Sequence, residues 1–294
     1  MAGASTRANS SSGRAFEGFR PLYHLFGLTV ASDLPLPLLA ADGPAVVDVV
    51  SGPVAATGDL VWRDDPPFAF ACLRDGAAVI LAWPEARFRV TPDRVVVEAV
   101  NQEAAADLLV PAVWSVMLGL RGREALHACA AEQNGRAIAI LGSSGFGKST
   151  AGRLLLDRGW RLVTDDLLAF DETGQVLPGP PFLRLAPDPG GERPGEIDTD
   201  GKRRVAVPVS PAPTPMAAMV VLAEEYSSCV RLSGLPAVTA LLGQVYNPLP
   251  IHPDQRQRHL RLAAGLAGRV PIYGAAPRSL TAILLERLVV EADT

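Results

Sequence analysis

Between residue 16 and about residue 100, short apolar runs are broken by turn-forming residues. The runs at 22–30, 45–50, 60–62, 68–73, 78–83, 87–90 and 94–97 have strand length, and Asp75-Gly76 and Pro92-Asp93 fall between them at hairpin spacing. Strands joined by tight turns run antiparallel, so the pattern predicts a mostly antiparallel β-rich unit over 15–102. From residue 103 the period changes. Leu108, Leu109, Val113, Val116, Met117 and Leu120 recur at helical spacing and predict a helix over 103–120 that joins the β unit to the C-terminal part of the chain.

The remainder alternates strand-like and helix-like segments, the mark of an α/β fold. The run 136–141 suits a buried strand, 149–158 a helix ended by Gly159, and 161–164 a second buried strand. Asp171 to Gly174 signals a turn. A Pro/Gly-rich passage over 178–195 is too long for a tight connection and reads as a functional loop. Helices are predicted over 236–245, 254–266 and 279–290. The expected architecture is a β-rich N-terminal domain (15–102) followed by an α/β phosphate-loop domain (103–294).

The chemistry enters between the first strand and helix of that second part. Residues 142–150 read Gly-Ser-Ser-Gly-Phe-Gly-Lys-Ser-Thr, a complete G-x-x-x-x-G-K-[ST] phosphate loop. Gly142, Gly145 and Gly147 free the backbone of Ser143, Ser144 and Phe146 to turn successive N–H groups onto a phosphate. Lys148 brings a cation to the outer phosphates, the Ser149 hydroxyl can hold Mg²⁺, and Thr150 continues the helix N-terminus aimed at the anion. The loop predicts ATP with Mg²⁺ as ligands.

Asp165 and Asp166 close the next predicted strand after the loop and its helix. The carboxyl end of a strand is where an open α/β sheet binds its ligand. One carboxylate can complete a Mg²⁺ shell and the other can take the proton of an attacking hydroxyl. Adjacent residues of an extended strand point to opposite sides, which suits divided roles: Asp165 as base, Asp166 on the metal with Ser149. His127 precedes the loop at the start of an apolar stretch, and spacing alone does not separate a packed histidine from a working one. In Asp200-Gly-Lys-Arg-Arg204, Lys202 and Arg203 read either as cations for a transferring phosphoryl group or as a solvated hairpin end. Arg184, between apolar neighbours, is a weaker candidate of the same kind.

Composition narrows the classes. A net charge of −4 gives no broad basic surface for nucleic acid. Three scattered cysteines, Cys72, Cys129 and Cys229, form no C-x-x-C pair, which argues against a zinc site or a disulfide framework. Residues 1–14 are small and polar and read as a disordered tail without the apolar core of a secretory signal. No stretch reads as a membrane span of roughly 18 apolar residues. These features together predict a cytoplasmic protein with neither nucleic-acid nor membrane partners.

His127, the loop at 142–149 and the phrase Arg158-Gly-Trp-Arg-Leu-Val-Thr-Asp-Asp166, at their mutual spacing, resemble the catalytic domain of bacterial HPr serine kinase/phosphorylase. The resemblance spans 127–171. It implies an HPr-kinase-like phosphotransferase acting on a serine hydroxyl of a peptide or small protein, with His127 beside the transferred phosphate and the Asp pair as metal ligand and base. It also implies assembly into a homo-oligomer. The later glutamate and Gly-rich signature of that family does not appear at 181–191, and Thr150 and Ala151 replace the acid that usually follows its loop. The β-rich N-terminal part, with Phe26-Gly-Leu-Thr-Val-Ala-Ser-Asp-Leu-Pro35, looks like the divergent HPr-kinase-related group, some of whose members phosphorylate the C-terminal serine of lasso precursor peptides. HPr itself as acceptor, or a nucleotide-dependent switch without transfer, are the alternative readings.

Overall fold

The computed structural model describes residues 20–64, 70–186, 195–198, 201–246 and 254–292. The tail expected over 1–14 and part of the long loop, 187–194, lie outside them. The protein is mixed α/β and built on two large sheets.

Strands β1 (Leu22–Leu25), β2 (Leu28–Ser32), β3 (Leu39–Ala40), β4 (Val47–Ser51), β5 (Asp59–Arg63), β6 (Ala71–Asp75), β7 (Ala78–Ala82), β8 (Ala86–Val90) and β9 (Arg94–Ala99) form the first sheet, in the order β3-β1-β2-β4-β9-β8-β7-β6-β5. The run at 22–30 is two strands. Phe26 and Gly27 take φ of 47° and 73° and fold it into a hairpin. The sheet is mostly antiparallel as expected, but β4 pairs in parallel with both β2 and β9, because neither of its sequence neighbours is its partner.

The helix expected over 103–120 is two helices, α1 (Gln102–Leu108) and α2 (Trp114–Leu120). The Asn101 side chain caps the first by accepting from the N–H groups of Glu103 and Ala104. Between them Val110 leaves helical backbone (φ −123°, ψ 113°), because the ring of Pro111 crowds a preceding residue out of the α region. By length and composition alone Gln102–Leu120 is apolar enough to cross a membrane, and 67% of its 18-residue apolar window is buried inside the protein. Trp114 and Met117 pack there with Phe26, Phe88, Leu167, Ala169 and Leu177, so this core takes residues from both halves of the chain.

The second sheet starts with β10 (Ala125–Gln133) and β11 (Arg136–Gly142), which leads through the Gly loop into α3 (Lys148–Leu156). Next come β12 (Arg161–Thr164) and β13 (Leu167–Ala169), then a small sheet of β14 (Phe182–Leu185), β15 (Glu196–Ile197) and β16 (Arg203–Ala206). The chain returns through β17 (Met216–Leu222), β18 (Val230–Leu232), α4 (Leu235–Leu242), α5 (Gln255–Ala267), β19 (Ile272–Ala275) and α6 (Ala282–Glu291). The large sheet runs β12-β10-β11-β17-β19-β18. Strands β11, β17 and β19 are parallel, and β10 is antiparallel to both β11 and β12. Two reversals leave β12 parallel to β11, so both strands end at the same edge.

Period two sorts β11 between two layers. Ala137, Ala139 and Leu141 pack with Ala237 and Leu241 of α4 and Ala263 and Leu266 of α5. Ile138 and Ile140 pack with Ala151 and Leu155 of α3 and Leu285 and Leu288 of α6. Helices on both faces bury the strand from both sides, which is why it reads as an uninterrupted apolar run. Helix α5 is tied down by a buried charge cluster. Glu124 accepts from Arg258 Nε at 2.7 Å and stands 2.7 Å from His259 Nε2, while Arg258 also donates to Gly119 O in α2.

Candidate active site

The phosphate-loop motif occupies the turn between β11 and α3. Gly142 (φ 145°) must be glycine twice over: the backbone is left-handed, and a Cβ would lie 2.9 Å from Cβ of Leu222 on the neighbouring strand. Gly145 and Gly147 take φ of 84° and 99°. Lys148, 5% exposed, folds back and donates to the carbonyls of Gly142 at 2.8 Å and Ser143 at 3.1 Å. Burial lowers its pKa, and the negative charges of Asp166 and Asp165 partly offset that.

The Asp pair does not sit on an extended strand. The peptide turns between β12 and β13, with Leu167 N donating to Asp165 O at 3.0 Å and Asp166 in the left-handed region at φ 69°. Both strands pair with β10 in one continuous register, Thr164 opposite Ala130 and Leu167 opposite His127, so the kink interrupts a single antiparallel ladder; the register shift at Ala130/Ala131 lies within β12, ahead of the pair. The kink aims both carboxylates at one arginine instead of opposite faces. Arg184 on β14 donates its backbone N–H to Asp165 Oδ2 at 2.9 Å and its guanidinium to Asp166 Oδ2 at 2.6 Å, and its Nε reaches Asp198 at 2.7 Å.

The loop and the acid pair meet through Ser149, whose hydroxyl donates to Asp165 Oδ1 at 3.0 Å. The strand argument from sequence joins Ser149 with Asp166; the observed partner is Asp165. Burial, with the neighbouring Asp166 charge, pushes the Asp165 carboxyl up to about 6. Asp166 moves the other way. Burial opposes its ionisation, but the His127 ring and the Arg184 and Lys202 cations more than offset it and hold its carboxyl below the usual range. His127 Nε2 stands 3.6 Å from Asp166 Oδ1, longer than a normal hydrogen bond, and its ring meets Tyr246 edge-on at 5.6 Å. Beneath these groups the Cys129 thiol, its pKa pushed up by burial and by the nearby Asp165 charge, fills the space beside Gly152, where a Cβ would lie 2.4 Å from its Sγ.

A cavity of about 460 Å³ opens over the loop. Of the residues singled out from the sequence, Ser144, Gly145, Gly147, Lys148, Ser149, Thr150, Asp166, Arg184 and Lys202 line it. Gly142, Ser143 and Phe146 form the loop behind this lining. Asp165 and His127 are not in the lining; each touches it through one neighbour, Asp165 through the Ser149 hydroxyl and His127 beside Asp166. Arg203 is not brought to the cavity: its guanidinium donates to Gly195 O at 3.1 Å. Arg204 pairs with Asp107 of α1 and covers the Phe182 ring, docking the small sheet onto the first half of the protein. Lys202 N donates to Asp198 Oδ1 at 2.9 Å, and the Lys202 side chain lines the cavity. Asp198 and Arg278 had no signal in the sequence; Asp198 anchors Arg184, and Arg278 lines the cavity from the turn after β19.

The donor set suits Mg²⁺: a hydroxyl and two carboxylates, all oxygen, beside a cradle for phosphate oxygens that complete such a shell. Among the described residues, no group of three or more His, Cys, Asp or Glu side chains is placed to hold a metal by itself.

No protein-family model matches the sequence, and no curated protein sequence matches it. Among solved structures the chain is similar to the HPr(Ser) kinase/phosphatase from Coxiella burnetii, at 16% identity and a TM-score of 0.32, over 57% of this chain and 95% of that one.

Proposed function

We propose that the protein is a phosphotransferase that moves the terminal phosphoryl group of ATP to a serine hydroxyl on a peptide, with a β-rich unit over 15–102 and a nucleotide-binding unit over 103–294. The observation that supports this reading most is the Ser149–Asp165 hydrogen bond, which links the phosphate loop to the acid pair. Loop amides and Lys148 hold the outer phosphates. Ser149 and Asp165 hold Mg²⁺, which supplies charge neutralisation on the phosphates when bound. This reverses the order of roles suggested by sequence alone. Asp166 lines the cavity and stands beside His127, and in this reading it orients the acceptor hydroxyl and receives its proton as the new O–P bond forms and the bond to ADP breaks. A carboxyl held below its usual range is a weak base, which is sufficient when the transition state is loose and the proton leaves late. Arg184 and Lys202 face the charge that spreads over the phosphoryl oxygens.

The transfer is tested with purified protein, ATP, Mg²⁺ and two acceptors, a lasso precursor peptide ending in serine and HPr. Mass spectrometry should find an addition of about 80 Da, one HPO₃, on the peptide. Addition to HPr alone would reassign the acceptor. Addition to neither, with ATP bound and intact, would make the protein a nucleotide-dependent switch.

The metal role of Asp165 has a pH signature. Its folded-state carboxyl titrates near about 6, above the ordinary 3.8, so its neutral form favours folding. That contribution is complete below about 3.8 and is lost as pH rises through about 6. Asp166, shifted down, acts with the opposite sign at lower pH, outside this window. The stability of wild type relative to Asp165→Asn should therefore fall between pH 4 and pH 6 in thermal melts. Mg²⁺ must displace the same proton, so its affinity should climb over that interval. A flat difference, with Mg²⁺ dependence unchanged in the variant, would remove Asp165 from the metal site.

A further inference from the structure

The cavity is lined by two chemically different sets, Asp166, Arg184 and Lys202, and Leu222, Arg278 and Leu280. Strand order decides which part of a ligand each set receives. The acid pair follows β12 on one side of β11, and β17 and β19 lie on the other side. Phosphates over the loop with their outer end at Asp166 leave the nucleoside to project toward the carboxyl ends of β17 and β19. Leu222 is the last residue of β17, and Arg278 lies in the turn just past β19.

Arg278 is held in place there. Its backbone N–H donates to Phe146 O at 3.3 Å, and its side-chain Cγ lies 3.6 Å from where a Cβ on Gly147 would stand. Its backbone is left-handed, φ 58°. A non-glycine residue stays in that region only where its surroundings impose it, and such positions collect at ligand sites. A guanidinium is planar and weakly hydrated, so it stacks on π faces. Resting on the nucleotide reading above, we propose that Arg278 stacks on the base of a purine nucleoside triphosphate, with Leu222 and Leu280 as the apolar walls of the slot. Among the described residues of this set, no carboxylate or amide side chain reads the edge of the base. The slot therefore accepts adenine and guanine alike.

Calorimetry with ATP, GTP and inorganic triphosphate, each with Mg²⁺, tests this on wild type, Arg278→Gly and Arg278→Lys. Glycine fits the left-handed backbone, so the first variant removes the side chain without added strain. Wild type should bind ATP and GTP within about threefold of each other and each about tenfold tighter than triphosphate, the size of a desolvated cation–π contact. Arg278→Gly should lose that excess with triphosphate affinity unchanged, and Arg278→Lys, which keeps the charge without the planar face, should recover little of it. Equal loss for triphosphate, full rescue by lysine, or strong preference between ATP and GTP would overturn the stack. Wild type binding neither ATP nor triphosphate would overturn the nucleotide reading itself. Wild-type ATP binding that Arg278→Gly leaves unchanged would sink only the stack.

Discussion

Asp166→Asn is expected to lower phosphoryl transfer by about 10²–10⁴-fold and to leave ATP affinity within about threefold of wild type. The size is that of a positioned proton acceptor. The selectivity follows from where the side chain stands: on the cavity wall beside His127, and not on the Ser149 hydroxyl. Asparagine keeps an oxygen for Arg184, and Asp198 still holds that arginine from its other side, so the small sheet should remain docked. Single-turnover kinetics with a nucleotide-binding titration separate the two effects. If Asp165→Asn shows this pattern and Asp166→Asn instead abolishes the Mg²⁺ dependence, the two roles are exchanged. If both variants turn over at the wild-type rate, the mechanism is wrong.

Glu124→Ala is expected to destabilise the protein by about 3–5 kcal/mol in urea titrations, the usual cost of removing one partner from a buried charge cluster. The Glu124 side chain is 6% exposed and its partners Arg258 and His259 are 15% and 10% exposed, so solvent screens them little. Glu124→Gln keeps two polar ends for Arg258 and His259 and should cost distinctly less, which separates loss of charge from loss of hydrogen bonds. The cluster fixes α5, whose Ala263 and Leu266 pack on the same sheet face as Leu126 beside His127. A cost below about 1 kcal/mol for alanine would mean that the cluster behaves as a hydrated surface pair.

The phosphate loop was legible because its signal is local: one unbroken stretch, 142–150, whose backbone needs are visible in its glycines. The elements around it were legible for the same reason, β11 as an unbroken apolar run buried on both faces and α3 and α6 by one periodic apolar face each. The Asp pair was visible as residues but not as geometry. Its kink, with Asp166 left-handed, breaks into a ladder that β12 and β13 share with β10, and an aspartate at that position does not announce it. Arg184 looked like one cation among apolar neighbours, and only the fold of the small sheet brings it to both aspartates. Lys202 and Arg203 looked equivalent, yet a single step along the chain sends one to the cavity and the other to Gly195. Arg278 was silent because a left-handed backbone is announced by glycine, not by arginine. The break at Val110 was readable from Pro111 but was masked by the continuing apolar period.

The sheet order also sets a timetable for the nascent chain. Strand β17, apolar throughout and nearly all buried, lies between β11 and β19. Its first neighbour is made before α3 and the whole small sheet, and its second only after β18, α4 and α5. Until β19 has been made and has paired, β17 has one edge and much of its apolar surface without a partner. Such an edge pairs readily with the wrong chain until its own partner arrives. The wall that carries Arg278 is among the last pieces synthesised. The phosphate loop, translated near the middle of the chain, is complete as a sequence well before it is complete as a site.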